Sequence, residues 1–164
     1  MTPPLWRDTS ISDAPDVEFS AGDAPDVEFS AGGVVVRDDE VIAIVPVKRD
    51  ASGHRVLGLP KGHPDGDETP AQAAQREVEE ETGVSAELVD KLGDIEYSYE
   101  RRGRRIAKRV AFYLFRYRSG DVADHDHEIE DARWMPLEEA ASALTYEGER
   151  EMVGRALSRL ASDR

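Results

Sequence analysis

The chain lacks cysteine altogether, which excludes disulfides, a thiol nucleophile and a thiolate metal site, and leaves the redox compartment open. It also lacks a long apolar run. The longest stretch, Val41 to Val47, is broken by Pro46 and is far too short to span a bilayer. The opening residues MTPPLWRDTS carry no basic-then-apolar leader pattern, so the expectation is a cytoplasmic protein with no membrane partner. Positive charge is scarce as well: 21 Lys and Arg stand against 35 Asp and Glu, a formal charge of -14. A field of that sign repels nucleic acid and anionic lipid. Nucleic acid is therefore disfavoured as a partner, and a phosphate-bearing small molecule would need a divalent cation to approach.

What remains is enough for one domain. With 164 residues and 39% hydrophobic composition, one core can form and a second cannot. The decapeptide DAPDVEFSAG fills residues 13–22 and recurs unchanged at 23–32. Only the second copy runs on into Gly33-Val34-Val35-Val36, so that copy is assigned to the first strand. Residues 1–22 become an N-terminal arm and residues 23–164 the domain. The displaced copy keeps Val17 and Phe19 in alternation, a strand-like segment free to pair with a sheet edge or a second molecule, which leaves a homodimer open.

Strands are expected at 27–37, 41–49 and, briefly, 54–59, followed by a loop over 61–69. Thr69-Pro70 offers an N-cap with proline at the first helical position, and Gly83 a C-terminal stop, which predicts a helix over 70–82. Segments 86–99 and 105–118 flank Arg101-Arg102-Gly103-Arg104 as a long hairpin. A short strand near 132–135 would bury Trp134 as a core plug, and apolar spacing from 137 to 160 predicts two terminal helices. The fold class is α/β, a mixed sheet covered by helices.

Within the 70–82 helix, Glu77, Glu80 and Glu81 stand at i, i+3 and i+4 and share one face. Such like-charge neighbours each cost about 0.2–0.5 kcal/mol, and anions near a helix C-terminus oppose its dipole. A hard divalent cation would resolve the conflict. Gly62, Glu68, Arg76-Glu77-Val78, Glu80-Glu81 and Gly83-Val84 have the spacing of the Nudix box, and the sequence resembles the Nudix hydrolases over about residues 27–160.

That resemblance implies an α/β/α sandwich with a loop-helix-loop site that cleaves a nucleoside diphosphate linked to another group, using Mg²⁺ or Mn²⁺. Glu77, Glu80 and Glu81 would ligate metal with a carbonyl near Gly62, and Arg76 and Glu68 would orient the carboxylates. The general base would be Glu77 or a carboxylate of the later loop His125 to Glu130, where Glu128 is preferred to Glu130. Leu59-Pro60-Lys61-Gly62 looks like the branch that hydrolyses dinucleoside polyphosphates, and it also occurs in members that clear oxidised nucleotides.

In RRGRRIAKR, residues 101–109, six of nine residues are basic. Lys108 alternates onto the face of Ile106 and, with Lys61, is expected to meet phosphate, while the arginines form a solvated hairpin tip. Tyr97, Tyr99, Phe112, Tyr113 and Tyr146 are the rings that could stack on a base, with Tyr146 and Tyr99 put forward as substrate contacts. The leading expectation is a hydrolase of substrates such as diadenosine tetraphosphate. The alternatives are a pyrophosphatase for oxidised purine nucleoside triphosphates and a non-catalytic nucleotide sensor.

Overall fold

Two β-rich stretches flank the one helix that carries the acidic face, and their pairing decides where that helix sits. In the computed structural model the described residues are 5–7, for which only the backbone is considered, and 26–163. The first decapeptide copy and the 22/23 boundary of the expected arm lie outside them.

The elements run β1 (Leu5–Arg7), β2 (Asp26–Arg37), β3 (Glu40–Pro46), β4 (Lys61–Gly62), α1 (Pro70–Thr82), β5 (Val84–Arg101), β6 (Arg104–Gly120), a 3₁₀ turn (Val122–Asp124), β7 (Ile129–Pro136), α2 (Leu137–Ala143) and α3 (Glu147–Ser162). The sheet order is β1-β5-β6-β2-β3-β7, with β4 paired to β2. β5 and β6 form the expected long antiparallel hairpin, while β2 lies parallel to β6 from Asp26↔Ile106 to Val36↔Arg116. The sheet is therefore mixed, and the second decapeptide copy enters β2.

Alternation along β2 divides the core. Val34 and Val36 face Phe112, Leu114, Met152, Val153 and Ala156 under α2 and α3, whereas Val35 faces Ala73, Ala74, Val78 and Phe115 under α1. Helices thus cover both faces, an α/β/α sandwich. Burying one Val or Phe is worth about 1.5–3 kcal/mol, so a one-residue slip of β2 would cost most of that sum.

Three expectations are corrected. Residues 54–59 form no strand; they touch the sheet through a single bridge, Ile44↔Gly58, because His54 bonds back to Asp50 while Leu57 and Leu59 bond Thr145 and Glu149 at the turn before α3 and on α3. The loop expected from Lys61 begins instead as the two-residue strand β4, since β2 and β3 pair only at Val36↔Val41 and Arg37↔Glu40 and leave the flank of Ala31 and Gly32 free for it. The close fit depends on glycine: a Cβ on Gly32 would overlap the backbone of Pro60 and Lys61. Finally, Trp134 is no core plug. β7 is an edge strand, so Trp134 stays half-buried, edge-on to Tyr117 at 5.4 Å and covered by the Arg37 guanidinium 3.9 Å from its centroid.

Candidate active site

The acidic face owes its position to caps at both ends of α1. Thr69 Oγ1 accepts the Gln72 N–H at 3.2 Å and Gln72 Oε1 accepts the Thr69 N–H at 2.9 Å, a reciprocal capping box with Pro70 at the first turn. Gly83 closes the helix at φ 78° and donates to the Glu79 carbonyl at 3.0 Å.

Arg76 organises the outer carboxylates. Its Nε and Nη2 bond both oxygens of Glu68 at 2.9 and 3.0 Å, Nη2 also reaches the His63 carbonyl at 2.9 Å, and Nη1 reaches Glu77 at 2.7 Å and Glu80 at 3.2 Å. This fork geometry suits a planar guanidinium and no other cation. Hydrogen bonding to Arg76 holds the Glu68 carboxyl below its usual range. Glu77 moves the other way: burial raises it, Arg76 opposes, and Glu80 and Glu128 add repulsion.

Glu81 points inward. Its Oε1 accepts the Lys61 N–H at 2.9 Å, and burial, reinforced by Glu77 and Asp126, pushes its carboxyl up to about 8. The Gly62 backbone lies so close to Glu77 that a Cβ there would overlap the carboxylate. The donor set is entirely hard oxygen, its charges exceed what Arg76 offsets, and Gly62 leaves a backbone cradle beside it, so the residues fit a divalent cation chemically. Among the described residues no three acidic or imidazole side chains converge on one point in the arrangement seen, because Arg76 draws Glu77 and Glu80 toward itself.

The later loop is tied to the helix end. The Asp126 N–H donates to the Glu80 carbonyl at 3.0 Å, and the Glu128 carbonyl accepts the Val47 N–H at 2.9 Å. Glu128 faces a cleft of about 670 Å³ that it shares with Glu81, Lys61, Gly62 and Lys108. Glu130 turns away and pairs with Arg49 and Arg55 at 3.0 and 3.1 Å.

The opposite wall carries lysines. Lys108 donates to Ser30 Oγ at 2.8 Å and lies 3.8 Å from Glu28; burial lowers its pKa, Glu28 opposes, and Lys61, Arg101 and Lys48 lower it further. Lys61 bonds Glu149 Oε2 at 3.0 Å. Burial alone would lower the Lys61 pKa, but Glu149 reverses this and holds the ammonium above its ordinary range.

The expected aromatic contacts are placed differently. Phe112 is fully buried, and the Tyr99 hydroxyl donates to Glu28 at 2.6 Å, where Arg101 joins both groups. Tyr146 is half-buried near Lys61 and Glu149. Neither Tyr99 nor Tyr146 lines the cleft.

Four participants escape the sequence reading: Glu28, Lys48, His63 and Glu149. Glu149 alone leaves a signal there, a charge on the stripe Met152, Val153 and Ala156 at i+3, i+4 and i+7. Glu28 shares the alternation of Ser30 but has no marker of its own.

The family model for the NUDIX domain matches residues 28–155. The chain belongs to the Nudix family. It is 39% identical over 130 residues to the MutT4 protein of Mycobacterium tuberculosis (strain CDC 1551 / Oshkosh), covering 77% of this chain and 52% of that one. It is 35% identical to the 8-oxo-(d)GTP phosphatase of Mycolicibacterium smegmatis (strain ATCC 700084 / mc(2)155), covering 62% and 30%. Identity to the asymmetrical bis(5'-nucleosyl)-tetraphosphatase of Caenorhabditis elegans is 33%, covering 53% and 63%. The chain thus spans between about a third and two thirds of the length of these relatives. The fold is that of a NUDIX hydrolase from Nitrosomonas europaea, with TM-score 0.63, 22% identity, and coverage of 83% and 90%. Among the described residues no helix is long and apolar enough to cross a membrane.

Proposed function

We propose that the chain is a divalent-metal-dependent pyrophosphohydrolase that cleaves a nucleoside diphosphate linked to another group, with dinucleoside polyphosphates such as diadenosine tetraphosphate preferred. The observation that carries this reading is the cleft itself. In a chain of charge -14, it sets the carboxylates of Glu81 from α1 and Glu128 from the later loop against the largely buried ammonium of Lys108. An anionic chain that brings cations with it satisfies both walls.

In this reading Glu77, Glu80, Glu81 and the Gly62 carbonyl hold Mg²⁺ or Mn²⁺. When bound, the cation neutralises charge developing on the phosphoryl oxygens and acidifies the attacking water. Arg76, fixed by Glu68, orients Glu77 and Glu80. Glu128 takes the proton from water, a role its place in the cleft supports, and Glu77 is the second candidate. Lys108 meets a phosphate beyond the one attacked, and Tyr146 and Tyr99, which do not line the cleft, would contact only a nucleotide that extends beyond it. Self-association through the first decapeptide copy is proposed separately.

A second reading has a specific observation behind it: the similarity to a relative named as an 8-oxo-(d)GTP phosphatase. A nucleotide panel with Mg²⁺, resolved by chromatography, separates the two. Diadenosine tetraphosphate should yield ATP and AMP. Turnover of an oxidised purine triphosphate about a hundredfold more efficient than of any dinucleotide, a gap of about 2.7 kcal/mol, would give the case to the second reading. Binding without turnover of any nucleotide would identify a sensor, although a sensor has no use for three carboxylates crowded on one helix face.

A further inference from the structure

Glu149 has no exposed surface, yet it is ionisable and lies in the apolar stripe of α3. Both its oxygens are used. Oε1 accepts the Leu59 N–H at 2.8 Å and Oε2 accepts the Lys61 ammonium at 3.0 Å. Gly58 makes the approach feasible, since a Cβ there would sit 2.8 Å from Oε1.

These bonds belong to a seam. The Leu57 N–H donates to Thr145 Oγ1 at 2.8 Å, and the Thr145 N–H donates to the Leu57 carbonyl at 2.9 Å. Residues 57–61 are thereby laid along the turn before α3, while the sheet holds them at the Gly58 bridge, at the Gly33 N–H on the Pro60 carbonyl and at the Gly32↔Lys61 pair of β4. At the far end of the seam the Lys61 N–H bonds Glu81. One residue, Lys61, therefore links α3 through its side chain to α1 through its backbone.

Stability does not explain the pair. Burying two charges costs several kcal/mol per ion, and an apolar replacement of similar volume is commonly neutral or better. The pair is also neutral as a unit, so Lys61 brings little net charge to the cleft. The lysines left for phosphate in the cleft are Lys108 and Lys48.

We propose that Glu149 is a positioning residue: by holding the Leu59 amide and the Lys61 ammonium it fixes β4, whose Lys61 amide orients Glu81, and Lys61 is an internal brace and not a phosphate ligand. The functional consequence rests on the reading of Glu81 given above; the positional one does not.

The test uses the full chain as Glu149→Gln, which keeps an oxygen for Leu59, and as Lys61→Met/Glu149→Gln, which removes both charges together. Amide hydrogen exchange is followed without metal or substrate, and steady-state kinetics are measured with Mg²⁺ on diadenosine tetraphosphate and on 8-oxo-GTP. In Glu149→Gln the Lys61 amide should exchange at least about tenfold faster while amides of α1 and β6 keep their protection. Its kcat should fall about tenfold or more, as for loss of a supporting residue behind a ligand, with KM held within about threefold. The double variant should match Glu149→Gln in KM. A KM raised about tenfold further in the double variant would place Lys61 on the substrate and overturn the proposal. Unchanged Lys61 exchange in Glu149→Gln would overturn it too. If Glu149→Gln does not fold, Glu149→Asp takes its place, with the same exchange readout and a smaller expected loss. If the unmodified chain turns over neither nucleotide, the proposed function fails, and the exchange data still decide whether Glu149 positions Lys61.

Discussion

The two walls of the cleft solve opposite electrostatic problems. The α1 side carries Glu77, Glu80 and Glu81 on one helix face, of which Glu81 lines the cleft; one guanidinium serves the outer pair, while Glu81 accepts the Lys61 backbone N–H. The lysine wall is more nearly balanced: Lys61 is matched by Glu149, and Lys108 faces Ser30 and a Glu28 that it shares with Arg101. Unfavourable energy is thus concentrated on one wall, the pattern expected where a bound cation completes the electrostatics. On the lysine wall, Lys108 is strained more mildly, by burial and by the like charges of Lys61, Arg101 and Lys48, and an anion would relieve it.

The largest break in this contrast is Glu81→Gln. On the proposal that Glu81 ligates a metal that stabilises the transition state, losing that ligand should lower turnover about a hundredfold or more. Stability should move the other way. Without metal, the Glu81 pKa raised from 4.5 to about 8 means that the fold prefers the protonated acid. The stability this group contributes is complete below pH 4.5 and is lost as pH rises toward 8. At pH 8 the metal-free variant should therefore melt higher than the parent, and at pH 4 the two should coincide. Thermal unfolding at both pH values checks this; a variant that melts lower at pH 8 would show that burial does not penalise the Glu81 charge.

The second prediction applies the same sign to the unmodified chain. Metal-free stability should decline between about pH 5 and pH 8 in part through Glu81, and millimolar Mg²⁺ should recover it, because a ligand that binds only the folded state stabilises by mass action. Activity should be negligible after chelation and should climb toward alkaline pH, where Glu77 and Glu81, both raised by burial, become fully ionised. Full activity in excess chelator would remove the metal from the mechanism.

How much of this was legible in the sequence follows from the same contrast. The α1 wall is local: an i, i+3, i+4 face between two caps, all within Thr69 to Gly83, and the helix bounds 70–82 are those its caps specify. The lysine wall is assembled from β2, β4, β6 and α3, and its partners are 78 and 88 residues apart. Alternation could place Lys108 beside Ile106, but no periodicity within one segment reports that Glu28 faces Lys108 or that Glu149 faces Lys61. The same limit explains residues 54–59, where strand-forming composition met a neighbour, the turn before α3, that only the fold supplies. It also explains Tyr99, whose ring was read as free but whose hydroxyl is committed to Glu28.

The third prediction sharpens the selective role of the lysine wall. Lys108→Met should raise KM for diadenosine tetraphosphate about three- to tenfold with little change in kcat, the loss of about one partly screened charge-assisted contact. The change for a nucleoside triphosphate should be smaller, since a shorter chain has fewer phosphates to reach that wall. Because burial lowers the Lys108 pKa, the parent should lose this advantage at a lower alkaline pH than an ordinary lysine would allow. An equal effect on both substrates would mean that Lys108 supports the cleft without reading chain length.

The smallest effect is expected from deleting residues 13–22, and the sheet sets the reason. The second decapeptide copy supplies β2 from Asp26 onward, including Glu28 and Ser30 of the lysine wall, and pairs with β6 through Val36↔Arg116. In sequence, the first copy lies between β1 and β2 and is proposed to lengthen the connection between them. Those strands are three places apart in the order β1-β5-β6-β2, about 14–15 Å at the usual strand spacing. Along the strands, Arg7 shares a row with Glu96, Arg109 and Phe29, three residues from Asp26 and so about 10 Å further. After the deletion, residues 8–12 and 23–25 still join the two strands, and an extended chain of that length reaches about 25–30 Å. Both pairings can therefore survive, and kcat/KM should stay within about twofold, since removing connecting chain changes loop entropy only slowly. Light scattering on the same variant gives a separate answer, a lower apparent mass if the first copy mediates self-association. A tenfold loss of kcat/KM in the deletion would mean that the first copy, and not the second alone, contributes to the working cleft.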